Sequence, residues 1–498
     1  MAFCIKVVPS ETTMDHIPHD PQTTQPPIPA IEWRIQGAQR LDPLVLRPLL
    51  GADAKASGEA VVRAYKQHGI LAVRVRIEGT DQDRTMLITE PKVRARGDYA
   101  HYLPQGEDLT QSALDTALAR AQAEARANNS SLYVEIGAVD AEGFVDVFLL
   151  GEPNQVKGSD RNLAVSTTSF GPRYSGSDVV VLSGSVAKGN GVMLDASATV
   201  GLADLRDDSK GGKYLGLSAG VSKASEYGLV SLRGTHSRFK VGGPNADLDQ
   251  TGEVTKAEAE WSYALNENFT PFVGATATHQ VSRIGVAGWS DAVTSTAIKA
   301  GVRGQKTWPM ERGFGVLSGD VTLEQGLTAS RRLDAPGPLL GDIDPHYRTL
   351  SSNMDLSIPV SEAGARLAFS AGAQKASSGT PSGSQFYAGG PGRGVSYHTG
   401  VYAAPSGFYG SVQWTSAVLD KHLPFATPQG FHGVQAFAGL DAAQVRPVGG
   451  RSLTAKSLHL GVRFKISERV SGQVGYARPI GGDDFAKPRV TFFLTASF

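Results

Sequence analysis

The residues best placed to do chemistry lie in SQFYAGGPGRGVSYHTG, Ser384 to Gly400, where Gly389, Gly390, Gly392 and Gly394 crowd around Arg393 and Tyr397 follows. A glycine cluster can cradle a phosphate, but only with a Gly-Lys-Ser/Thr and a following helix whose first N–H groups face the anion. The sequence has neither, and alternating apolar–polar segments flank the stretch on both sides. What is left is a tightly turning loop between two strands, carrying one cation suited to burial. A second candidate, Gly216-Leu217-Ser218-Ala219-Gly220, matches the G-x-S-x-G nucleophile elbow. An elbow works where a strand turns sharply into a helix and exposes the serine. Here Ser218 falls on the polar face of an alternating strand, so hydrolase chemistry is not expected. The histidines are scattered, none at metal-ligand spacing, and the single cysteine, Cys4, offers neither an intrachain disulfide nor a metal cluster. The expectation is no enzyme, no metal and no cofactor.

Composition narrows the class. Lys plus Arg (48) equals Asp plus Glu (48), so no net basic field points to nucleic acid. Charged residues make up 19% of 498, Gly reaches 58, and the apolar share is 41%. No apolar run approaches about twenty residues, which argues against a membrane helix. It does not argue against a membrane β-barrel, whose lipid-facing residues are hidden in alternation. The start, MAFCIKVVPSETTMDH, shows no secretory signal: one lysine and a short apolar run, without a usable apolar core or small-residue cleavage site.

The elements that must position the loop follow in order. Residues 17–29 hold five prolines and no apolar periodicity, so residues 1–29 read as an extended tether. In residues 30–91, Ile31, Trp33 and Ile35 alternate as a strand, and a helical stretch covers Leu44 to Leu50. Ser57 can cap a second helix bearing Val61, Ala64 and Tyr65, which Gly69 stops; Ile70 to Ile77 and Arg84 to Thr89 read as strands. That β-α-α-β-β order is one small α+β domain. Residues 92–155 read as a second, shortened one, with a helix from Thr110 to Ala127 ended by Asn128 and Asn129, and strands at Leu132 to Ile136 and Phe144 to Leu149.

From residue 156 to 498 the texture changes to alternating segments punctuated by Gly, Ser, Asp, Asn and Pro. The clearest sets Leu458, Leu460, Val462, Phe464 and Ile466 against His459, Gly461, Arg463 and Lys465. Strict alternation makes one face apolar and the other wet. In a soluble sandwich the apolar face turns inward; in a membrane barrel it meets lipid and the polar face lines the lumen. Small residues on the apolar face, full charges on the polar face and the terminal Phe498 favour the barrel. About sixteen such segments, at roughly twenty-one residues each, give the even strand count of such barrels. The expected fold is mainly β: a sixteen-stranded transmembrane β-barrel preceded by two small α+β domains.

From about residue 28 onward the chain resembles the two-partner secretion transporters (TpsB type, haemolysin secretion/activation proteins) of the POTRA–β-barrel outer-membrane superfamily. AVVRAYKQHGILAVRV, Ala60 to Val75, is similar to the POTRA pattern, with Tyr65 and Gly69 as its signature. DRNLAVSTTSFGPRYSG, Asp160 to Gly176, resembles the family's approach to its first barrel strand. QFYAGG opens a stretch similar to the long extracellular loop that folds back into the lumen, here about residues 378–400. The family's V-R-G-Y/F departs at Val395, which delays the aromatic to Tyr397. The amino-terminal plug helix is not recognisable in Met1 to His16.

The resemblance implies that the loop arginine, Arg393, is latched by an aspartate on a late strand. GLDAAQV, Gly439 to Val445, stands where the family has aromatic-x-Asp-x-Gly and keeps Asp441. The alternation agrees, putting Leu440 toward lipid and Asp441 toward the lumen. A planar guanidinium suits a bidentate carboxylate, so an Arg393–Asp441 pair is expected. Phe498 would serve as the carboxy-terminal assembly signal. The resemblance further implies a bacterial outer-membrane protein with periplasmic N-terminal domains. It would act as a monomer in outer-membrane lipid and export one large secreted exoprotein (TpsA type) in extended form, without nucleic acid. The rivals are a barrel-assembly factor of the same superfamily, a porin-like channel or adhesin, and a soluble esterase.

Overall fold

The structure is a computed structural model that describes residues 5–7, 31–80, 82–154, 160–205, 207–334, 343–423, 432–481 and 486–498. Apart from Ile5–Val7, the expected tether of residues 1–29 lies outside the described residues. The chain divides into two compact units, Met1–Asn154 and Gln155–Phe498.

The first unit holds two α+β modules. In the first, the strands run in the order Glu32–Gln36, Asp83–Thr89, Arg74–Gly79. The helix Ala54–Gln67 covers them, burying Val61, Ala64 and Tyr65 at helical spacing. Its cap is Asp53, not Ser57. The Asp53 carboxylate accepts from the Lys55 and Ala56 N–H groups, while Ser57 turns back to accept from Gly51 N–H and donate to Asp53 O. A carboxylate just ahead of the first turn faces its open N–H groups, and Ser57 is already inside the helix. The strand expected from Ile70 begins only at Arg74, because Ile70 and Leu71 pair instead with Thr110 and Leu109 of the second module.

That second module orders its sheet Ile5–Val7, Ser130–Val139, Phe144–Pro153, Lys92–Arg96. Its helix, Gln111–Ala127, buries Leu114, Leu118, Ala121 and Ala125. Thr110 caps it by accepting from Ala113 N–H, and Asn128 closes it.

The second unit is a closed, antiparallel barrel of sixteen strands. It opens with Arg161–Thr168 and ends with Arg489–Ser497, and these two close the cylinder by pairing Ala164–Thr168 with Phe493–Ser497. Alternation explains the closure. Leu458, Leu460 and Val462 are 43%, 53% and 41% exposed on the outer face, and their neighbours His459, Gly461 and Arg463 face inward. A closed cylinder gives every backbone N–H and C=O a partner, which is what lets strands stand in lipid. Several turns at one end are two residues long, among them the one formed by Asn190 and Gly191. Asn190 and Gly191 both take positive φ (51° and 73°), the conformation of the two-residue turn that suits the twist of paired strands. No helix among the described residues is long and apolar enough to cross a membrane. The GLSAG motif sits in mid-strand, in Lys213–Ser225, with Ser218 paired to Ser197 and Thr235. It makes no elbow.

Candidate functional site

The loop between the eleventh strand, Arg366–Ala376, and the twelfth, Ser406–Thr415, folds into the barrel. Phe386–Ala388 and Tyr402–Ala404 pair as a two-stranded ribbon. Between them Gly389 N–H donates to Arg393 O at 2.8 Å, Gly390 N–H to Tyr397 O at 3.1 Å, and Tyr397 N–H to Gly394 O at 2.9 Å. Such close returns need positive φ, and Gly394 has φ +105°. A Cβ there would come within 2.6 Å of the Ala455 methyl on the wall. Phe386, Ala388, Tyr397, Tyr402 and Ala404 then bury against Ala443, Val445 and Ala455, inward residues of the thirteenth strand, His432–Arg446, and the fourteenth, Leu453–Ser467.

Asp441 and the loop do come together, though not as an ion pair. Asp441, 3% exposed, accepts through one carboxylate oxygen from Gly394 N–H at 3.2 Å and Val395 N–H at 2.9 Å. The Arg393 guanidinium lies elsewhere, 4.9 Å over the Phe386 ring and 4.4 Å over the Tyr409 ring, and donates to Tyr387 O at 3.3 Å. Backbone N–H groups reach the carboxylate first because the glycine turn lies directly on the wall. The longer arginine side chain is left to aromatic faces that attract a cation. Tyr397, the late aromatic, is a buried part of this packing.

Further anchors were not legible as motifs. Ser396 hydrogen-bonds Ser457 through both its N–H (2.9 Å) and its hydroxyl (2.6 Å). Ser384 donates to Glu324 at 2.7 Å, as does the Tyr347 hydroxyl at 2.7 Å, and Ser382 reaches Gln280 across the lumen at 2.9 Å. Thr399 donates to Phe170 O at 2.8 Å, and Arg489 donates to Ser169 O and lies 3.2 Å from His398 Nδ1. Only inward parity, visible for Ser457, Glu324 and Tyr409, could have pointed to these partners.

The remaining lumen wall is charged and internally paired. Glu260 meets Lys299 at 2.8 Å and Arg303 at 2.7 Å, Asp195 meets Arg233 at 2.8 Å, and Arg331 grips Asp291 at 2.7 and 3.1 Å. Among the described residues no group of His, Cys, Asp or Glu could hold a metal ion.

In the first unit Tyr65 is fully buried, and its hydroxyl donates to Glu90 at 2.7 Å. The same Glu90 oxygen accepts from the Gln39 and Arg40 N–H groups. Gly69, with φ +77°, ends the helix, and its carbonyl accepts from Gln111 N–H of the second module at 2.7 Å. Phe498 follows the last strand residue and donates its N–H to Leu163 O at 2.8 Å.

No sequence-family model matches the chain, and no curated protein matches it. Solved structures do. CdiB from Escherichia coli aligns over 96% of this chain and 93% of its own, at 17% identity and a TM-score of 0.67. CdiB from Acinetobacter baumannii covers 96% and 91%, at 12% identity and 0.59. BamA from Haemophilus ducreyi, lacking POTRA domains 1–3, covers 94% and 99%, at 14% identity and 0.52. The chain therefore has the fold of these POTRA–sixteen-stranded-barrel proteins.

Proposed function

We propose that the chain is an outer-membrane polypeptide translocator of the two-partner secretion type, working as a monomer and without catalytic chemistry. The carrying observation is the loop seated on Asp441 and Ser457 inside a lumen lined with paired charges. The seat joins hydrogen bonds on Asp441 and Ser457, a buried aromatic cluster and one aromatic-held cation. None of these is covalent, and an incoming chain that offers replacement contacts can displace it. The overall likeness to CdiB, a TpsB transporter, supports the same reading.

In this reading the N-terminal modules capture an extended segment of one large secreted exoprotein by strand addition, where backbone hydrogen bonds supply affinity and side-chain pockets supply choice. The Ser130–Val139 edge already takes Ile5–Val7 as a parallel strand, so it is an edge that accepts strands. The captured chain passes through the polar lumen, and folding outside biases transit. Arg393→Ala removes the cation held by Phe386 and Tyr409, contacts worth about 2 kcal/mol when desolvated. It should reduce export while leaving the barrel inserted, and undiminished export would rule out a gating role for the loop.

The second reading, assembly of other barrels, has two observations in its favour. The closing seam pairs only Ala164–Thr168 with Phe493–Ser497, and the BamA fold is shared. Deleting the gene separates the two: periplasmic accumulation of one exoprotein supports export, and a general loss of outer-membrane barrels supports assembly.

A further inference from the structure

The loop end of the barrel carries an unusual patch on its outer face. The third to seventh strands are Val192–Gly201, Lys213–Ser225, Gly228–Lys240, Gln250–Ser262 and Phe269–Ile284. Residues paired across strands share a face. Lys213 pairs with Lys240, Leu215 with Arg238 and Leu217 with His236; Arg238 pairs with Glu253 and Lys240 with Thr251; Thr251 pairs with Arg283 and Glu253 with Val281. Leu217 and Leu232 are 46% and 52% exposed and mark this as the hydrocarbon-facing side. Lys213, Arg238, Lys240 and Arg283 therefore point outward, at or near the loop ends of their strands.

They surround a surface cavity of about 940 Å³ whose apolar wall includes Val200, Leu205, Leu215 and Val281. Two carboxylates, Asp204 and Glu253, also line it. Lys240 is held by Asp249 at 2.9 Å. The side chains of Lys213, Arg238 and Arg283 have no ion-pair or hydrogen-bond partner among the described residues. Cations on a lipid-facing surface are unfavourable in hydrocarbon and tolerated only near the interface, where the natural counter-charge is a lipid phosphate. The fourth and seventh strands are separated by three inter-strand steps, about 14 Å in all. One phosphate cannot span that distance; two on one headgroup can.

We infer that this cavity binds an acylated outer-leaflet lipid bearing two phosphates, its chains along the apolar wall and its phosphates on Lys213, Arg238 and Arg283. The inference rests on the outer-membrane reading, and the test separates the two. The full chain in mild detergent is titrated with bis-phosphorylated lipid A, monophosphoryl lipid A and inorganic phosphate, and bound lipid is read by native mass spectrometry. Wild-type protein should prefer the bis-phosphorylated lipid by about tenfold, and K213Q/R238Q/R283Q should lose that preference while keeping a heat-modifiable folded band. Should the triple variant fail to fold, R283Q alone should lower the preference in the same direction. Equal preference in the variants, equal binding of both lipids, or displacement by inorganic phosphate at comparable concentration overturns the lipid site and leaves the barrel reading standing. A wild-type chain without a heat-modifiable band sinks both.

Discussion

At the scale of single residues, function rests on where side chains cannot go. Gly394 is needed twice over: its φ of +105° suits no side chain, and Ala455 occupies the space a Cβ would take. Gly394→Val should unseat the turn from Asp441, with overpacking alone worth about 1–3 kcal/mol. The expected consequence is a wider pore, read as higher single-channel conductance in planar bilayers with normal insertion; unchanged conductance would mean the loop does not limit the lumen. Tyr65 makes a different point. Tyr65→Phe keeps the buried ring and removes only the hydrogen bond to Glu90, so a loss of about 1 kcal/mol is expected. Denaturant titration of the N-terminal unit would measure it, and a loss several times larger would show Glu90 to be more than a local brace for Gln39 and Arg40.

Between elements, the junction of the two α+β modules is the clearest case. Leu71 N–H donates to Leu109 O at 3.0 Å and Gln111 N–H to Gly69 O at 2.7 Å. Asp108, its side chain 9% exposed, lies between Arg40 of the first module and Lys92, the latter 2.7 Å away. Burial pushes the Asp108 carboxyl up, but hydrogen bonds and charge from Lys92 and Arg40 outweigh it and hold the group below its usual range. With the folded value depressed, the stabilisation is complete above the unfolded value of about 3.9. It drains away as pH falls through the lower folded value. Protection of the Leu71 and Gln111 amides, taken relative to intrinsic exchange at each pH, should therefore fall below about pH 4 in the wild-type chain. In Asp108→Asn the lower protection should be present already at neutral pH, by the equivalent of about 1 kcal/mol, since both cations stay hydrated. A pH-independent protection factor in the wild type would remove Asp108 from the joint.

For the whole molecule, closure is the property with consequences. Strands eight and nine, Trp289–Met310 and Gly313–Asp334, run 22 residues each, longer than the roughly 9–11 residues a tilted strand needs to cross the hydrocarbon. In the outer-membrane reading they extend well past the hydrocarbon. Because every strand has two neighbours, no edge is left to start unfolding, and the unboiled chain in SDS should migrate apart from the boiled form. A single band under both conditions would contradict a closed cylinder in detergent. Much of this was legible beforehand. The parity of Leu458 to Ile466, the even number of segments and the helix under Tyr65 follow from periods of 2 and 3.6 in the sequence. The cap at Asp53, the start of the strand at Arg74 and the partners of Arg393 were not. Each depends on which of several competent groups arrives closest, and that is decided by neighbours distant in sequence.

Local chemistry by itself therefore determined which residues share an apolar face and where the chain must turn, while the entry of the glycine-rich segment into the lumen was implied only by the family resemblance. Only the folded molecule decided that Asp441 would hold the loop by its backbone, with Arg393 resting on aromatic rings. Alternation specifies a face, whereas a hydrogen-bond partner is specified by distance. Distances of a few ångströms across a cylinder are set by the register of all sixteen strands together.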